Sequence, residues 1–482
     1  MPATRPAAPP PAAYGGPAHV LVNDLHSRLN PTRVRRVARP RSAAELPAIV
    51  AAARAEGLPV CVAGGWHAMG GQQFAEGGLL VDTRDMAAVL GLDAERGLVE
   101  AEAGIMWPAL IAWLRERQAG AARPWSIRQK QSGADRLTLG GAVAANAHGR
   151  GLRMTPFVGD VEALTVVGPD AVVRRCSRDE NAELFRLVVG GYGLFGIVAT
   201  VTLRLAPLVR LRRRVVELDA DALLETFAER IAAGYLYGDF QFAVDPTNDR
   251  FLRRGILSAY GPAAADEPEP ATRHALSVED WRELTWLAHV DKARAYERYA
   301  EHYLRTDGQQ YWSDLHQLAT YEDDYHFALD ERMGADCPAT EMITELYVPQ
   351  PALPDFLARA RAALRAHRAD VVYGTIRLIE RDAESVLAWA REPWACTILN
   401  LHVAHEAAAL ARAADAFRAL IDAAAAFGGS YFLTYHRWAT RAQALACHPR
   451  LREFLAAKRR LDPELRFQSE WWRHHERLVG GG

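Results

Sequence analysis

Three glycine-rich turns in the N-terminal half constrain the fold of this chain more than any other feature. They read AGGWHAMGGQQ at residues 63–73, TLGGAVAANAHGRG at 138–151 and GGYGLFG at 190–196. Glycines at this density allow a backbone to approach a ligand closely and to turn its N–H groups toward an anion. The first turn matches neither the G-x-G-x-x-G of a dinucleotide-binding fold nor the G-x-x-x-x-G-K-[ST] of a P-loop. Together the three turns predict a long, phosphate-containing ligand that is laid along several loops.

The first turn also encloses a single histidine, His67. A loop that only cradles phosphate needs no imidazole. His67 is therefore either a packed bystander or a residue that does chemistry on the molecule that the loop holds.

Charge and cysteine content argue against several classes of function. The 57 basic residues nearly balance the 59 acidic ones, so nothing indicates nucleic acid or an anionic membrane as a main partner. The five cysteines stand far apart without a C-x-x-C pair, which argues against a disulfide framework or a cysteine-rich metal site. No H-E-x-x-H motif or equivalent appears, and we expect no metal.

Length and hydropathy favour two or three domains, because half of the 482 residues are apolar. Residues 1–18 are rich in proline and alanine without a signal-peptide core, and we expect a disordered tail there. No stretch approaches a membrane-spanning helix, so we expect a cytoplasmic protein. The sequence does not indicate the oligomeric state.

Local patterns predict alternating strands and helices. Ser42 is expected to cap a helix with Glu45 at its third position, and Gly57 to end that helix after about Glu56. Further predicted elements before residue 206 are strands at 79–82 and 197–203 and a helix at 107–117. After it we expect helices at 221–234, 277–306, 353–367 and 405–427, and strands at 345–348, 371–379 and 396–403.

The three turns resemble the cofactor loops of flavoproteins related to vanillyl-alcohol oxidase and p-cresol methylhydroxylase. In that family the loops read glycine-glycine-x-His, then T-x-G-G followed by H-G, then G-x-G-x-x-G-I/V, and they contact FAD in this order. The run at 454–472 also resembles the family's closing segment. The matching residues here, with their neighbours, are Gly64, Gly65, Trp66, His67, Ala68, Gly70, Gly71, Thr138, Gly140, Gly141, His148, Gly149, Gly193, Gly196 and Ile197.

The resemblance implies an α+β fold with a two-part FAD-binding domain and a substrate domain whose antiparallel sheet is covered by helices. The corresponding limits are 19–205 for the FAD-binding domain and 206–445 for the substrate domain, with 446–482 returning to the first domain. In relatives with a histidine in the first loop, the imidazole is bonded to the 8-methyl carbon of the flavin, which implies a covalent link through His67. The alternative is that His67 only hydrogen-bonds near the diphosphate. No cysteine lies between Lys130 and Gly151, so a second link is not expected.

Polar side chains on apolar strands are the candidates for catalysis, which needs a group to take the hydroxyl proton and a cation near the flavin. Period-two alternation places Thr375 with Arg377, and Asn400 with His402; Glu345 lies on a third strand. The sugar-oxidising branch of the family, which includes decaprenylphosphoryl-ribose, aldonolactone and alditol oxidases, has Lys or Arg at the place of Arg377 and Asn at that of Asn400. The alditol oxidases have a glutamate where this chain has Thr375.

The base is therefore open among His402, Tyr435 and His436. Arg377 has the alternative role of a structural ion pair with Glu380 or Glu345.

These resemblances imply an FAD-dependent enzyme that oxidises a hydroxyl group of a small sugar, polyol or lactone by hydride transfer to flavin N5. Oxygen or another acceptor would reoxidise the flavin. A phenolic, amine or natural-product substrate is the first alternative, and an apolar pocket lined by Trp394, Tyr347, Tyr373 and Trp438 would favour it. The second alternative is a flavin-binding protein without turnover.

Overall fold

The computed structural model describes residues 19–264, 266–269, 272–319 and 325–480. The expected tail, residues 1–18, lies outside the described residues. Helices and strands are interspersed along the described chain, and the predicted mixed helix and sheet class is confirmed. Among these residues no helix combines the length and apolarity needed to cross a membrane.

The strands and helices are numbered along the chain. The strands are β1 (Val20–Val22), β2 (Thr32–Val34), β3 (Arg36–Ala38), β4 (Val60–Ala63), β5 (Leu79–Asp82), β6 (Val89–Asp93), β7 (Leu98–Glu102), β8 (Trp125–Ile127), β9 (Val161–Val167), β10 (Val173–Ser177), β11 (Ile197–Pro207), β12 (Arg210–Asp219), β13 (Tyr237–Phe242), β14 (Arg254–Pro262), β15 (Gln310–Trp312), β16 (Ala339–Pro349), β17 (Val371–Ile379), β18 (Trp394–Ala404) and β19 (Ser430–Tyr431). The helices are α1 (Leu46–Ala55), α2 (Trp107–Arg117), α3 (Leu139–Ala145), α4 (Ala182–Val188), α5 (Leu223–Ala232), α6 (Val278–Val290), α7 (Lys292–Arg305), α8 (Tyr325–Met333), α9 (Leu353–Ala366), α10 (Ala407–Ala425), α11 (Arg441–Cys447), α12 (Leu451–Leu461) and α13 (Glu470–Gly480).

The strands form sheets of two kinds. A small parallel sheet, β3-β5-β4, and a six-stranded antiparallel sheet, β10-β9-β11-β7-β6 with β8 on β11, contain the N-terminal strands apart from the β1-β2 pair. The later strands form one antiparallel sheet in the order β15-β12-β14-β13-β17-β18-β16-β19, which we call the large sheet. This is the antiparallel sheet expected after residue 206, whereas the domain limits stay a prediction.

Two helices differ from their predicted form. Residues Ala43–Glu45 form a 3-10 turn and α1 begins only at Leu46, because Ser42 caps no backbone N–H and Glu45 instead accepts from the N–H of Arg41 at 3.0 Å. The single helix expected at 277–306 is two, since Asp291 ends α6 and its side chain accepts from the Arg294 N–H to start α7. A short acidic side chain at this place is a helix N-cap.

The register of the large sheet places the candidate catalytic residues on one face. Directly opposed residues of antiparallel strands point to the same side. Glu345 opposes Ile398, which in turn opposes Thr375, so these three form one cross-strand row. Arg377 and Asn400 lie two residues along their strands from this row and therefore on the same face. The other face packs apolar side chains of β16 against α9 and α10 in the main core, among them Met342, Leu346, Val348, Phe356, Phe417 and Leu420.

The C-terminal segment returns to the N-terminal strands. Val60 and Phe467 form a parallel bridge, in which the N–H of Val60 donates to Arg466 O at 2.7 Å and that of Gln468 to Val60 O at 2.9 Å. The Trp471 ring packs 4.8 Å from the ring of Tyr192, beside the third glycine turn.

Candidate active site

One cavity of about 1400 Å³ lies between the glycine turns and the polar face of the large sheet. Pockets for a single small molecule occupy roughly 300–1,000 Å³. The cavity therefore has room for an extended ligand and a second molecule beside it.

The first glycine turn packs directly on the segment before α3. A Cβ at Gly64 would lie 2.0 Å from Thr138 Oγ1, and one at Gly65 would lie 2.4 Å from Arg136 O, so both positions require glycine. Trp66 has φ of +64°, in the left-handed region. The Gln73 amide donates to Trp66 O at 3.3 Å and to Ala68 O at 2.9 Å and fixes this unusual backbone.

The backbone N–H groups of the glycine turns differ in whether they already donate a hydrogen bond, and this indicates which turns can bind a diphosphate. Gly64, Gly65, Gly193 and Gly196 line the cavity, and their N–H groups donate no hydrogen bond within the described chain. The first N–H groups of α3, in contrast, already donate to Ile105 O, Ala103 O and Thr138 Oγ1. The first and third turns, rather than the start of α3, therefore fit an anionic group of a nucleotide.

Eleven of the fifteen predicted cofactor residues line the cavity. They are Gly64, Gly65, Trp66, His67, Ala68, Thr138, Gly140, Gly141, His148, Gly193 and Gly196. The other four, Gly70, Gly71, Gly149 and Ile197, do not line it, and their contact with the cofactor stays a prediction. They support the loops: a Cβ at Gly71 would meet the side chain of Glu470 at 3.1 Å, one at Gly149 would meet Lys130 O at 2.7 Å, and Ile197 is buried where β11 begins.

His67 lies at the cavity wall with its ring edge-to-face against His26, at 5.3 Å between centroids. Burial lowers the pKa of His26 to about 4, so this neighbouring ring is neutral at physiological pH.

Glu345 is the centre of a buried hydrogen-bonded group that faces the cavity. Its Oε1 contacts His148 Nε2 and accepts from Cys396 Sγ at 2.9 Å, while Oε2 accepts no hydrogen bond from the described residues. Burial opposes ionisation of this carboxyl, yet the charges of His148 and Arg377 and its hydrogen bonds hold its pKa below the ordinary 4.5. His148 Nδ1 faces Gly149 O at 3.0 Å, so the ring can donate from both nitrogens when protonated. Glu345 is thus an ionised carboxylate at the wall of the cavity.

Arg377 and Asn400 line the same cavity, as does Tyr435. Arg377 is only 6% exposed, its Nε has no hydrogen-bond partner and it forms no ion pair with a described carboxylate, which does not support the structural pairing with Glu380 or Glu345. Burial and the negative charge of Glu345 raise the pKa of Tyr435 well above its usual 10. Tyr435 therefore keeps its proton and can donate a hydrogen bond but does not act as a base at neutral pH.

Neither predicted histidine base reaches the cavity. His436 is buried between Tyr431 and Trp438, and burial lowers its pKa to about 3. His402 instead contacts the Glu341 carboxylate at 3.5 Å. The same carboxylate also contacts His289 at 3.0 Å and the Tyr325 hydroxyl. This placement does not favour either histidine as the base, because a proton acceptor must reach the substrate.

Two groups of side chains hold donor atoms close enough for a metal ion, although we expected none. They are His148, Glu345 and Cys396, and His289, Glu341 and His402. In both, a carboxylate accepts from the other members, so the donors satisfy one another by hydrogen bonds.

Sequence reasoning missed several residues that line the cavity. Residues 131–134 continue the loop before α3 and could have been suspected from their Ser-Gly composition. Of four aromatic residues named for an apolar pocket, only Tyr373 lines the cavity, while Tyr299 and Tyr303 of α7 and Trp281 and Trp286 of α6 do so unforeseen. Their pattern on amphipathic helices does not differ from that of residues that pack a core.

Comparison with known proteins identifies the N-terminal part. Residues 34–177 match the family model described as an FAD binding domain. The chain is 28% identical over 168 residues to L-gulonolactone oxidase of Mus musculus, covering 35% of this chain and 36% of the relative. It is 31% identical over 189 residues to L-galactono-1,4-lactone dehydrogenase 1, mitochondrial, of Oryza sativa subsp. japonica, covering 38% of this chain and 31% of the relative. It is 28% identical over 218 residues to L-gulono-1,4-lactone dehydrogenase of Mycobacterium tuberculosis (strain ATCC 25618 / H37Rv), covering 45% of this chain and 48% of the relative.

The matches span between about a third and a half of the length of these relatives. Within that span the predicted resemblance to FAD-binding, sugar-oxidising flavoproteins is confirmed, and the chain carries an FAD binding domain.

Proposed function

We propose that this chain is an FAD-dependent oxidoreductase that oxidises a hydroxyl group of a sugar-type substrate, with aldonolactones as the nearest class. One observation supports this most directly: backbone donors suited to a diphosphate and a buried carboxylate beside an arginine line the same cavity. The relatives named as lactone oxidases and dehydrogenases support the substrate class. The limits 19–205, 206–445 and 446–482 for its parts belong to the same proposal.

Residues of the glycine turns would bind the cofactor, and residues of the large sheet would bind the substrate and accept its hydroxyl proton. Bound FAD supplies an acceptor for the hydride removed from the carbinol carbon. The N–H groups of the first and third turns hold the diphosphate, and the charge of Arg377 favours negative charge nearby. The Glu345 carboxylate accepts the hydroxyl proton, and Tyr435 and Asn400 orient the substrate by hydrogen bonds.

The function is tested by mixing FAD-loaded protein anaerobically with a panel of aldonolactones, polyols, phenols and amines. We expect the visible flavin absorbance to bleach with a lactone or polyol and to return when air or an artificial acceptor is admitted. The two reoxidants separate an oxidase from a dehydrogenase. Bleaching by phenols or amines alone, or by no compound, would contradict the proposal.

His67 is proposed as the attachment point of a covalent FAD. A neutral imidazole is the nucleophile that a link to the 8-methyl carbon of the flavin would need, and His67 lines the cavity that contains the loops. Acid precipitation should leave yellow colour in the pellet, and His67→Ala should move the colour to the supernatant. Colour in the wild-type supernatant, or an unchanged pellet in His67→Ala, would contradict the assignment. His26→Ala serves as the control, since its ring lies beside His67.

A further inference from the structure

A second charged group lines the same cavity. It consists of Arg150, Arg213, Tyr260 and Tyr303, which we call the arginine site. No role in the oxidation proposed above uses these residues.

Arg213 is a buried cation without an anionic partner. It is 6% exposed, and its guanidinium lies between two rings, 4.4 Å from the centroid of Tyr303 and 5.3 Å from that of Tyr260. One nitrogen donates to Ser258 Oγ at 2.9 Å, but Nε has no hydrogen-bond partner, and Arg213 forms no ion pair with a carboxylate in the described part of the chain. A buried charge without a counter-ion is strongly unfavourable unless a ligand provides one.

Arg150 brings a second guanidinium to the same place. It stacks 5.1 Å from the Tyr260 ring, donates to His316 O and approaches Asp239 at 3.7 Å, whereas its Nε has no hydrogen-bond partner. Asp239 neutralises one of the two arginines. Burial and Arg150 keep the pKa of His316 well below 6.5, so this ring adds no charge. The arginine site therefore has one excess positive charge at neutral pH.

The arginine site is separate from the donors assigned to the diphosphate. Ser258, Tyr260 and Tyr303 lie on β14 and α7, whereas the unsatisfied N–H groups lie on the turns around Gly64 and Gly193. Two buried guanidiniums, of which one lies near a carboxylate, line a cavity that exceeds the volume of one ligand, and this charge fits a carboxylate or phosphate.

We propose that the arginine site binds an anionic group of the substrate, so that this chain acts on an acidic sugar derivative in preference to a neutral lactone. The inference rests on the proposed function, because it names the substrate class of that same cavity. Carboxylate and phosphate share the required chemistry.

The test is equilibrium binding by calorimetry to FAD-loaded protein. The probes are gluconate and glucose 6-phosphate, compared with neutral gluconolactone and glucose. We expect at least one anion to bind ten-fold or more tightly than its neutral counterpart. Arg213→Gln should abolish this preference and Arg213→Lys should retain part of it. Arg214→Gln is the matched control, since Arg214 is on the same strand and pairs with Asp307 on the exposed side.

FAD content and thermal midpoint are measured for each variant, and Arg213→Lys decides the matter if Arg213→Gln does not fold. Equal affinity of wild-type protein for charged and neutral probes would overturn the inference, as would a preference that survives in folded Arg213→Gln. Bleaching of the flavin by a neutral lactone without anion preference would leave the proposed function intact. Anion binding without bleaching by any sugar would remove the proposed function and retain the site.

Discussion

At the scale of single residues, Glu345 occupies a position in the sheet that cannot be recognised by comparing the sequence of β17 alone. The alditol oxidases have glutamate two residues before the arginine, and this chain has Thr375 there. In the folded sheet, Glu345 of β16 lies in the same cross-strand row as Thr375, with Ile398 between them. Thr375 is fully buried and does not line the cavity, whereas Glu345 does. A carboxylate thus reaches the polar face from another strand.

Glu345→Gln tests whether this carboxylate accepts the substrate proton. We expect flavin reduction to slow by about 10²–10⁴-fold, because loss of a general base has this effect, with FAD content unchanged. Since the pKa of Glu345 is lowered, the wild-type rate should fall only as the pH drops below about 4.5, and the variant should lack this limb. Stopped-flow absorbance measures both.

The control for this experiment is Glu392→Gln, an exposed carboxylate just before β18. A Glu345→Gln variant that reduces its flavin at the wild-type rate would assign the base to another group.

At the scale of elements, the turn after α12 depends on a buried ion pair. The Lys458 ammonium contacts Asp462, and the Asp462 carboxylate also accepts from the N–H groups of Arg466 and Phe467 at 2.8 Å each. Burial lowers the pKa of Lys458 to about 8. These bonds place Phe467 beside Val60, so the pair positions the C-terminal segment on the N-terminal strands.

Asp462→Ala should therefore lower the free energy of unfolding by about 3–5 kcal/mol, because it leaves a buried cation without a partner. Denaturant unfolding followed by tryptophan fluorescence measures the change. The exposed pair Arg450–Glu453 on the same helix provides the comparison, and Glu453→Ala should change stability by less than about 1 kcal/mol. Equal effects of the two substitutions would show that burial does not set the strength of the pair.

Elements with strong local signals were predictable from sequence. The ranges of α2 and β17 agree with the predicted 107–117 and 371–379. The break at Asp291 was missed because apolar periodicity continues through α6 and α7, and one capping side chain decides where a helix stops. Strand pairing could not be predicted for a different reason. Register joins residues that are far apart in sequence, so Glu345 and Thr375 become cross-strand neighbours only when β18 lies between them.

At the scale of the whole molecule, the three glycine turns were predicted to meet because one extended ligand requires them together, and all three line one cavity. The arginine site carried no such signal, since Arg150 and Arg213 come from different parts of the chain and arginines on a strand usually lie in solvent. Only packing of α7 over the large sheet encloses Arg213 between tyrosines.

The buried histidines of the whole molecule predict instability in mild acid. Burial lowers the pKa of His436, His448 and His475 to about 3 each. Their unfolded pKa is about 6.5. Between these values the unfolded chain binds more protons than the folded one, so stability falls as the pH drops below about 6.5. At pH 5.5 each group removes about 1.4 kcal/mol, roughly 4 kcal/mol for the three.

Chemical unfolding at pH 7.5, 6.5 and 5.5 measures this loss. His448→Phe removes one of these groups and should reduce the loss between pH 7.5 and 5.5 by about 1.4 kcal/mol, because phenylalanine does not titrate. His19→Phe is the control, since its side chain is exposed, and it should leave the dependence as in the wild type. If stability were the same at pH 7.5 and 5.5, these rings would have to accept protons in the folded state, and water would then have to reach the interior around Tyr431, which contacts both His436 and His448.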